Sequence, residues 1–315
     1  MARWRTLFFE FQSMASTCSL QIDGRDERVM RQAATQTIAE VHRIERKFSR
    51  YLDTSVISRI NHGAGLDMIE VDAETHGLLD FADQLWSLSD GLFDITSGVL
   101  RQAWDFKNAR LPEPEKLQGL LARVGWKHVE RSGNKVRLMM PGMELDFGGF
   151  GKEYAADRAA AVLHGHGLEH ALVNLGGDLF ALGERGLPEL SGQPWQIAIQ
   201  HPRTEPAHPA APPLAMLALA RGGLATSGDY ERFFICNGQR YCHILNPQSG
   251  WPVTHWQSVS VLAANTTTAG ALSTIAMLKG PGALAWLEAQ GAHYLAIGPD
   301  GQRVRHASAD HPLTV

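Results

Sequence analysis

Three short segments of this 315-residue chain set glycines beside a carboxylate: Asp146-Phe-Gly-Gly149, Asn174-Leu-Gly-Gly-Asp178 and Thr226-Ser-Gly-Asp229. Glycine has no Cβ, so a turn built on it can bring its N–H groups directly against an anion, and the neighbouring Asp or hydroxyl adds a polar handle. Taken singly, each segment is a tight turn with a capping Asp. Taken together, each at the end of a predicted strand, they point to a polar cleft for a phosphate-bearing ligand. The common phosphate and catalytic motifs fail on spacing. The segment from Asp146 to Lys152 sits between strand and helix as a phosphate loop would, but a P-loop needs glycine at position 146 and Ser or Thr at position 153, where this chain has Glu153. The dinucleotide fingerprint fails there too, and no HExxH helix or GxSxG elbow occurs.

The elements that must hold these turns follow from periodicity. Residues 7–11 and 18–22 read as strands joined by a polar turn. A long helix follows, with Val29, Ala33, Ile38, Val41, Ile44 and Phe48 on one face. A second helix starts at Asp72 as N-cap and runs to Gly91, and Pro112 and Pro114 open a third that ends near Gly125. A hairpin turns at Ser132-Gly133-Asn134, a strand ends at Leu145-Asp146, and the glycine-rich turn of 147–151 leads into a helix carrying Ala155, Ala159, Val162 and Leu163. Strands are predicted at 171–175, 195–200, 215–220 and 258–263, and a helix at 268–278. Residues 201–213 hold five of the fifteen prolines and read as a loop insertion. Helices mixed with hairpins favour an α+β fold, here taken as one domain over residues 1–315.

The bulk properties narrow the functional classes. The chain is 44% hydrophobic and 20% charged with a net charge of -4, an ordinary globular balance that gives no reason to expect nucleic acid as a partner. Cys18, Cys236 and Cys242 lack CxxC spacing, which argues against a disulfide framework or zinc knuckle and fits a reducing compartment. Cys236 and Cys242 flank Asn237-Gly238, a hairpin signal that would let them face each other across two strands. The N-terminal arginines precede only three apolar residues, no lipobox follows, and no apolar run spans a bilayer; the expectation is a soluble, cytoplasmic protein with no transmembrane segment.

In order along the chain, these segments resemble the ApbE family of FAD:protein FMN transferases. Gln12-Ser-Met-Ala-Ser-Thr17 is similar to the family's opening turn. Phe48-Ser-Arg-Tyr51 is similar to its segment after the long helix, and Asp90-Gly-Leu-Phe-Asp-Ile-Thr96 with Gly98 and Trp104 to its G-x-x-D-I-T segment. Asp146-Phe-Gly-Gly-Phe-Gly-Lys-Glu-Tyr-Ala-Ala-Asp157 resembles the central D-L-G-x-I-A-K-G-Y-A-x-D. Leu172-Val-Asn-Leu-Gly-Gly-Asp178 and Ala225-Thr-Ser-Gly-Asp-Tyr-Glu-Arg232 match closely. His243-Ile-Leu-Asn-Pro-Gln-Ser-Gly250 is similar to H-I-x-D-P-x-T-G with Asn246 for the Asp, and Ser258-Val-Ser-Val261 to Leu272-Ser-Thr274 resembles the C-terminal strand-to-helix motif.

The resemblance implies an α+β, T-fold-related domain with mixed and antiparallel sheets, flanking helices and an FAD cleft between its halves. It places Met14, Tyr51, Leu92, Phe93, Asp94, Asp146, Lys152 and Leu245 on FAD. The apolar and aromatic members would face flat rings, the carboxylates would accept hydrogen bonds, and Lys152 would meet a phosphate. The implied reaction is attack by a Thr or Ser hydroxyl of an acceptor flavoprotein on the FMN-side phosphorus, with AMP leaving. His243 is the candidate base. Mg²⁺ would be held by the Gly149 carbonyl and the Thr274 hydroxyl, with Ser273 beside it. The family's usual acid, four residues before that threonine, is Gly270 here. Either another carboxylate, Asp178 or Asp229, reaches the metal, or the metal site is degenerate. An acid restored at position 270 is then expected to strengthen the response to Mg²⁺. FAD hydrolysis by water and non-enzymatic FAD binding or assembly remain the alternatives to transfer.

Overall fold

The computed structural model describes residues 3–203, 212–307 and 313–314. The chain opens with β1 (Arg5–Ser13) and β2 (Ser16–Gly24), then α1 (Glu27–Phe48), α2 (Val56–His62), β3 (Ile69–Glu70) and α3 (Ala73–Leu88). A 3-10 stretch (Ile95–Gln102) and α4 (Pro114–Leu121) precede β4 (Val129–Ser132), β5 (Lys135–Leu138) and α5 (Gly151–Gly165). Strands β6 (Ala171–Leu175), β7 (Asp178–Ala181), β8 (Trp195–Ile199), β9 (Ala215–Leu219), β10 (Gly222–Gly228), β11 (Phe233–Cys236), β12 (Gln239–Cys242) and β13 (Ser258–Ala263) follow. The chain closes with α6 (Thr266–Lys279), α7 (Ala283–Ala289), β14 (His293–Ile297), β15 (Arg303–His306) and β16 (Leu313–Thr314).

Side-chain caps start the helices where the sequence supplies them. Asp26 accepts from Val29 N–H, Ser55 from Ser58, Asp72 from Thr75 and Asn265 from Thr268, each satisfying an amide that the first turn leaves without a partner.

The main sheet has eight strands in the order β1-β2-β6-β7-β10-β13-β14-β15, with every neighbouring pair antiparallel. This is the expected α+β arrangement. Helices α5 and α6 lie against one face, α5 on β6 and β7 and α6 on β10 and β13, and α1 packs over α5. Part of the other face meets the small sheet β16-β9-β8, where Trp195, Ile197 and Leu217 join Leu224, Leu262 and Leu295. β13 therefore has cover on both sides and is buried almost throughout: Val259 and Val261 pack with Ala269, Leu272 and Ala276, and Leu262 joins the cluster on the opposite face.

The seam between α5 and α6 has a fixed register. Asp157 on α5 accepts from the N–H groups of Thr266 and Thr267 at 2.7 and 2.9 Å, so a carboxylate of one helix caps the start of the other. One turn back along α5 and one turn on along α6, Glu153 lies against Gly270. The same four-residue step, taken once more, leads to Gly149 and Thr274.

Local readings held where neighbours in sequence decide the outcome and failed where distant partners do. The segment ending at Leu145-Asp146 is extended but joins no sheet: the Asn61 side chain takes both backbone groups of Leu145, at 2.7 and 3.0 Å, and Asp146 N–H donates to Ile95. The helix opened by Pro112 and Pro114 ends at Leu121, and a 3-10 turn (Trp126–His128) lies beyond it. The turn at Asn237-Gly238 forms, but Cys242 pairs with Phe233 and Cys236 with Gln239, so the two thiols do not face each other. Most of the proline-rich stretch at 201–213 lies outside the described residues. No helix among the described residues is long and apolar enough to cross a membrane.

Candidate active site

The turn between β1 and β2 carries Met14 and Ala15 at φ 52° and 58°, a left-handed pair without glycine. L-residues pay a steric cost there, and such outliers concentrate at functional sites. Glu45 of α1 holds the turn, accepting from Ser13 Oγ at 2.8 Å and from Met14 N–H at 2.7 Å. Met14 is half-buried, and Ser16 fills the space beside Gly176 in the β6–β7 turn, where a Cβ would stand 2.6 Å from that of Ser16. Two of the polar turns therefore touch.

The β6–β7 turn is set by Asn174, whose Oδ1 accepts from Gly177 N–H at 2.8 Å, while Gly176 and Gly177 take φ 61° and 98°. It ends on buried Asp178, which receives Lys152 Nζ at 2.8 Å; the same ammonium lies 3.3 Å from the Gly176 carbonyl. Burial opposes the charge on Lys152, but Asp178 and Glu153 outweigh it and hold the ammonium above its ordinary pKa. Lys152 thus stays cationic at the mouth of α5, its charge shared with Asp178.

Asp146 anchors the glycine-rich turn. Its Oδ1 accepts from Gly148 N–H at 2.9 Å and its Oδ2 pairs with Arg50. Gly98 makes this approach possible, because a Cβ there would lie 2.5 Å from the Asp146 Cβ. Arg50 also donates to Tyr51 Oη at 2.7 Å and lies over its ring at 4.9 Å, which holds an otherwise exposed aromatic beside the turn. Arg50 was missed in the sequence; the one available signal was its position inside the Ser-Arg-Tyr segment.

Phe93 and Asp94 are both buried and engaged within the protein. Phe93 is buried beneath the turn, stacked on Phe150 with centroids 6.2 Å apart, and a Cβ on Gly149 would meet its ring at 2.8 Å. It packs directly under Gly149. Both oxygens of Asp94 are engaged, Oδ1 by the N–H and hydroxyl of Thr96 and Oδ2 by Trp126 N–H at 2.9 Å. Its carboxylate thus fixes the 3-10 stretch that presents Gly98. Leu92, just before it, stays half-buried.

The third turn, at the end of β10, meets α6. Ser227 Oγ lies 2.8 Å from Ser273 Oγ and 3.0 Å from Thr274 Oγ1, and Ser273 Oγ donates to the Gly270 carbonyl at 3.0 Å. Three hydroxyls thus converge at one end of the α5–α6 seam. Neither carboxylate suggested as a stand-in for the missing acid is free: Asp178 holds Lys152, and Asp229 accepts from both terminal nitrogens of Arg203, at 2.5 and 2.7 Å. Glu153 was not considered in the sequence reading. It is buried, and its Oε2 has no hydrogen-bond partner among the described residues. Burial and the nearby Asp178 raise its pKa.

His243 follows β12, with its N–H donated to the Arg232 carbonyl at 3.0 Å. Its residue keeps solvent contact, yet the surrounding protein desolvates the ring, and Arg232 adds like-charge repulsion; together they push the imidazole down to about 4. Leu245 forms an isolated bridge with Pro252 and packs half-buried against a cluster that includes Trp104, Phe234 and Tyr241. Asn246 closes the following turn, accepting from Gln248 and Ser249 N–H groups, a job that the family's Asp could equally perform.

The family model for the ApbE family matches residues 14–296. An FAD:protein FMN transferase of Treponema pallidum (strain Nichols) is 34% identical over 242 residues, which cover 72% of this chain and 66% of that protein. Among solved structures, the ApbE protein of Thermotoga maritima superposes with a TM-score of 0.85 at 30% identity, over 96% of this chain and 97% of the other. The apo flavinyl transferase ApbE of Pseudomonas stutzeri gives 0.83 at 28% identity, over 98% and 96%. Matched over residues 14–296 and alike in fold to these structures, this chain belongs to the ApbE family.

Proposed function

We propose that this protein is an FAD:protein FMN transferase, acting as one ApbE-like domain that binds FAD between its glycine turns and the segment around Tyr51 and Leu245. The observation that carries this reading is Lys152, held by Asp178 and the Gly176 carbonyl of the Asn174 turn, together with the hydroxyls of Ser227, Ser273 and Thr274 that meet where the Thr226 turn reaches α6. A pyrophosphate needs such a place, where backbone approaches closely and positive charge is fixed. Met14 and Tyr51 lie where apolar or aromatic surface can meet flat rings. Phe93 and Asp94 support the cleft from below.

In the reaction, the acceptor's Thr or Ser oxygen bonds to the FMN-side phosphorus, the bond from that phosphorus to the bridging oxygen breaks, and AMP leaves with that oxygen. The hydroxyl proton passes to His243, whose neutral ring can accept it. Lys152 offsets charge on the pyrophosphate without itself giving up a proton. Among the described residues no cluster of three or more His, Cys, Asp or Glu side chains could hold a metal ion, so any metal donors must be mainly hydroxyl and carbonyl oxygens. Such a set, with the unpartnered oxygen of Glu153 beside it, fits a hard cation such as Mg²⁺, held by the Gly149 carbonyl and by Ser273 and Thr274. When bound, the cation would neutralise charge on the phosphate oxygens. The free thiols fit a reducing compartment, and we place the activity in the cytoplasm.

The test is to incubate the protein with FAD, Mg²⁺ and a peptide bearing a threonine flavinylation motif, then to follow products by mass spectrometry. FMN-modified peptide with stoichiometric AMP is the expected result. Free FMN with AMP would replace transfer by hydrolysis, and intact bound FAD would leave a binding protein.

A further inference from the structure

Resting on the transferase reading, we propose that Glu153 supplies the metal-binding carboxylate that Gly270 lacks, so that the acid has moved across the seam from α6 to α5. A Cβ built on Gly270 would stand 2.5 Å from Glu153 Cγ and 2.6 Å from its Oε1. The glutamate therefore fills the volume into which an acidic side chain at position 270 would extend. Gly270 does not need glycine for its backbone, which lies in an ordinary helical conformation; it needs glycine for room. The complementary exchange is in the sequence: the central motif that this chain resembles has glycine after its lysine, and this chain has Glu153 there. One small and one acidic residue are kept at the contact, with their positions reversed.

Two further observations bear on the role of that carboxylate. Glu153 is 8% exposed, yet its Oε2 has no hydrogen-bond partner among the described residues. A carboxylate held out of water and left short of a donor is costly unless a cation completes it. In addition, Asp157 fixes the register of the two helices, so Glu153, in the first turn of α5, stands against Gly270, one turn before Thr274 on α6, while Gly149 lies in the turn just ahead of α5. An acid on either helix at this level can therefore serve the same cation. The same geometry overturns the simple expectation for position 270, where a lone aspartate would meet Glu153 as both a steric and a like-charge neighbour.

The experiment titrates Mn²⁺, followed by electron paramagnetic resonance, into the intact protein alone and saturated with FAD. Wild type is compared with Glu153→Gln, Gly270→Asp and the reciprocal double variant Glu153→Gly/Gly270→Asp. Glu153→Gln should weaken Mn²⁺ binding by about tenfold or more while FAD affinity and melting temperature hold. Gly270→Asp alone should melt lower, and the double variant should regain tight Mn²⁺ binding. Wild-type Mn²⁺ affinity in Glu153→Gln, or no Mn²⁺ binding by the wild type, overturns the proposal. If Glu153→Gln fails to fold, the double variant decides: tight Mn²⁺ binding supports the exchange and its absence refutes it. Glu153-dependent Mn²⁺ binding without peptide flavinylation would sink the transferase reading alone. Flavinylation with Mn²⁺ binding indifferent to Glu153 would sink this inference alone.

Discussion

The ion-pair cluster that ties α3 to α1 and the seam between α5 and α6 both draw a glutamate away from water, and they treat it in opposite ways. On the first, Glu74 accepts from both terminal nitrogens of Arg43, at 2.8 and 2.7 Å, from Lys47, and from the Tyr154 hydroxyl at 2.8 Å. Arg43 above all, with Lys47 and Tyr154, holds its carboxyl down at about 2 in spite of burial. On the second, Glu153 faces a glycine and keeps an oxygen with no donor among the described residues. A carboxylate satisfied inside the protein stabilises the protein. One left short of donors lowers stability until positive charge arrives from outside. The first contact is scaffold, and the second is the site proposed above.

The contrast is sharpest at Thr274. Replacing it with alanine should slow FMN transfer by about a hundredfold, while the lost contact to Ser227 costs about 1 kcal/mol of stability. Transfer rate and urea midpoint, measured on one preparation, check both halves. A destabilised variant with intact turnover would make the second seam scaffold as well.

The mirror experiment removes the paired acid. Glu74→Ala should lower stability by about 2 kcal/mol, because Arg43 and Lys47 lose a shared acceptor, with turnover per folded molecule unchanged. Silenced transfer at full stability would break the division between the two.

The smallest effect is in acid. The folded pKa of Glu74, about 2, lies below its ordinary 4.5, so as pH falls the unfolded chain takes up this proton first. The contribution of Glu74 is therefore complete above about pH 4.5 and is lost as pH drops towards 2. Urea midpoints across that window should fall more steeply in wild type than in Glu74→Ala. Equal slopes would exclude Glu74 as a source of the acid sensitivity.

Much of this fold was legible locally. The β1–β2 hairpin, the apolar face of α1 and the Asp72 cap each depend on residues a few positions apart, where period and capping chemistry leave little freedom. The three polar turns were found the same way, from glycines beside acids. What stayed hidden depended on distance along the chain. The segment before Asp146 has strand-like composition, but Asn61, 84 positions away from Leu145, satisfies its backbone and leaves no ladder to join. Arg50 reads as one more surface cation until folding sets it against Asp146, 96 positions on.

The sequence by itself determined the order of the motifs, the α+β class, the family and the residue types around the proposed cleft, because each is written in short-range spacing. Only the tertiary structure decided how those residues are used. Asp94 turned inward because the amides of Thr96 and Trp126 needed an acceptor, and Phe93 went beneath Gly149 because the turn needed a floor. Gly270, which looked like the loss of an acid, proved to be the space that Glu153 fills. On the exchange proposed above, a substitution that reads as a deletion along one helix reads as a swap across a packed seam, because close packing lets either helix supply the side chain that occupies a shared volume.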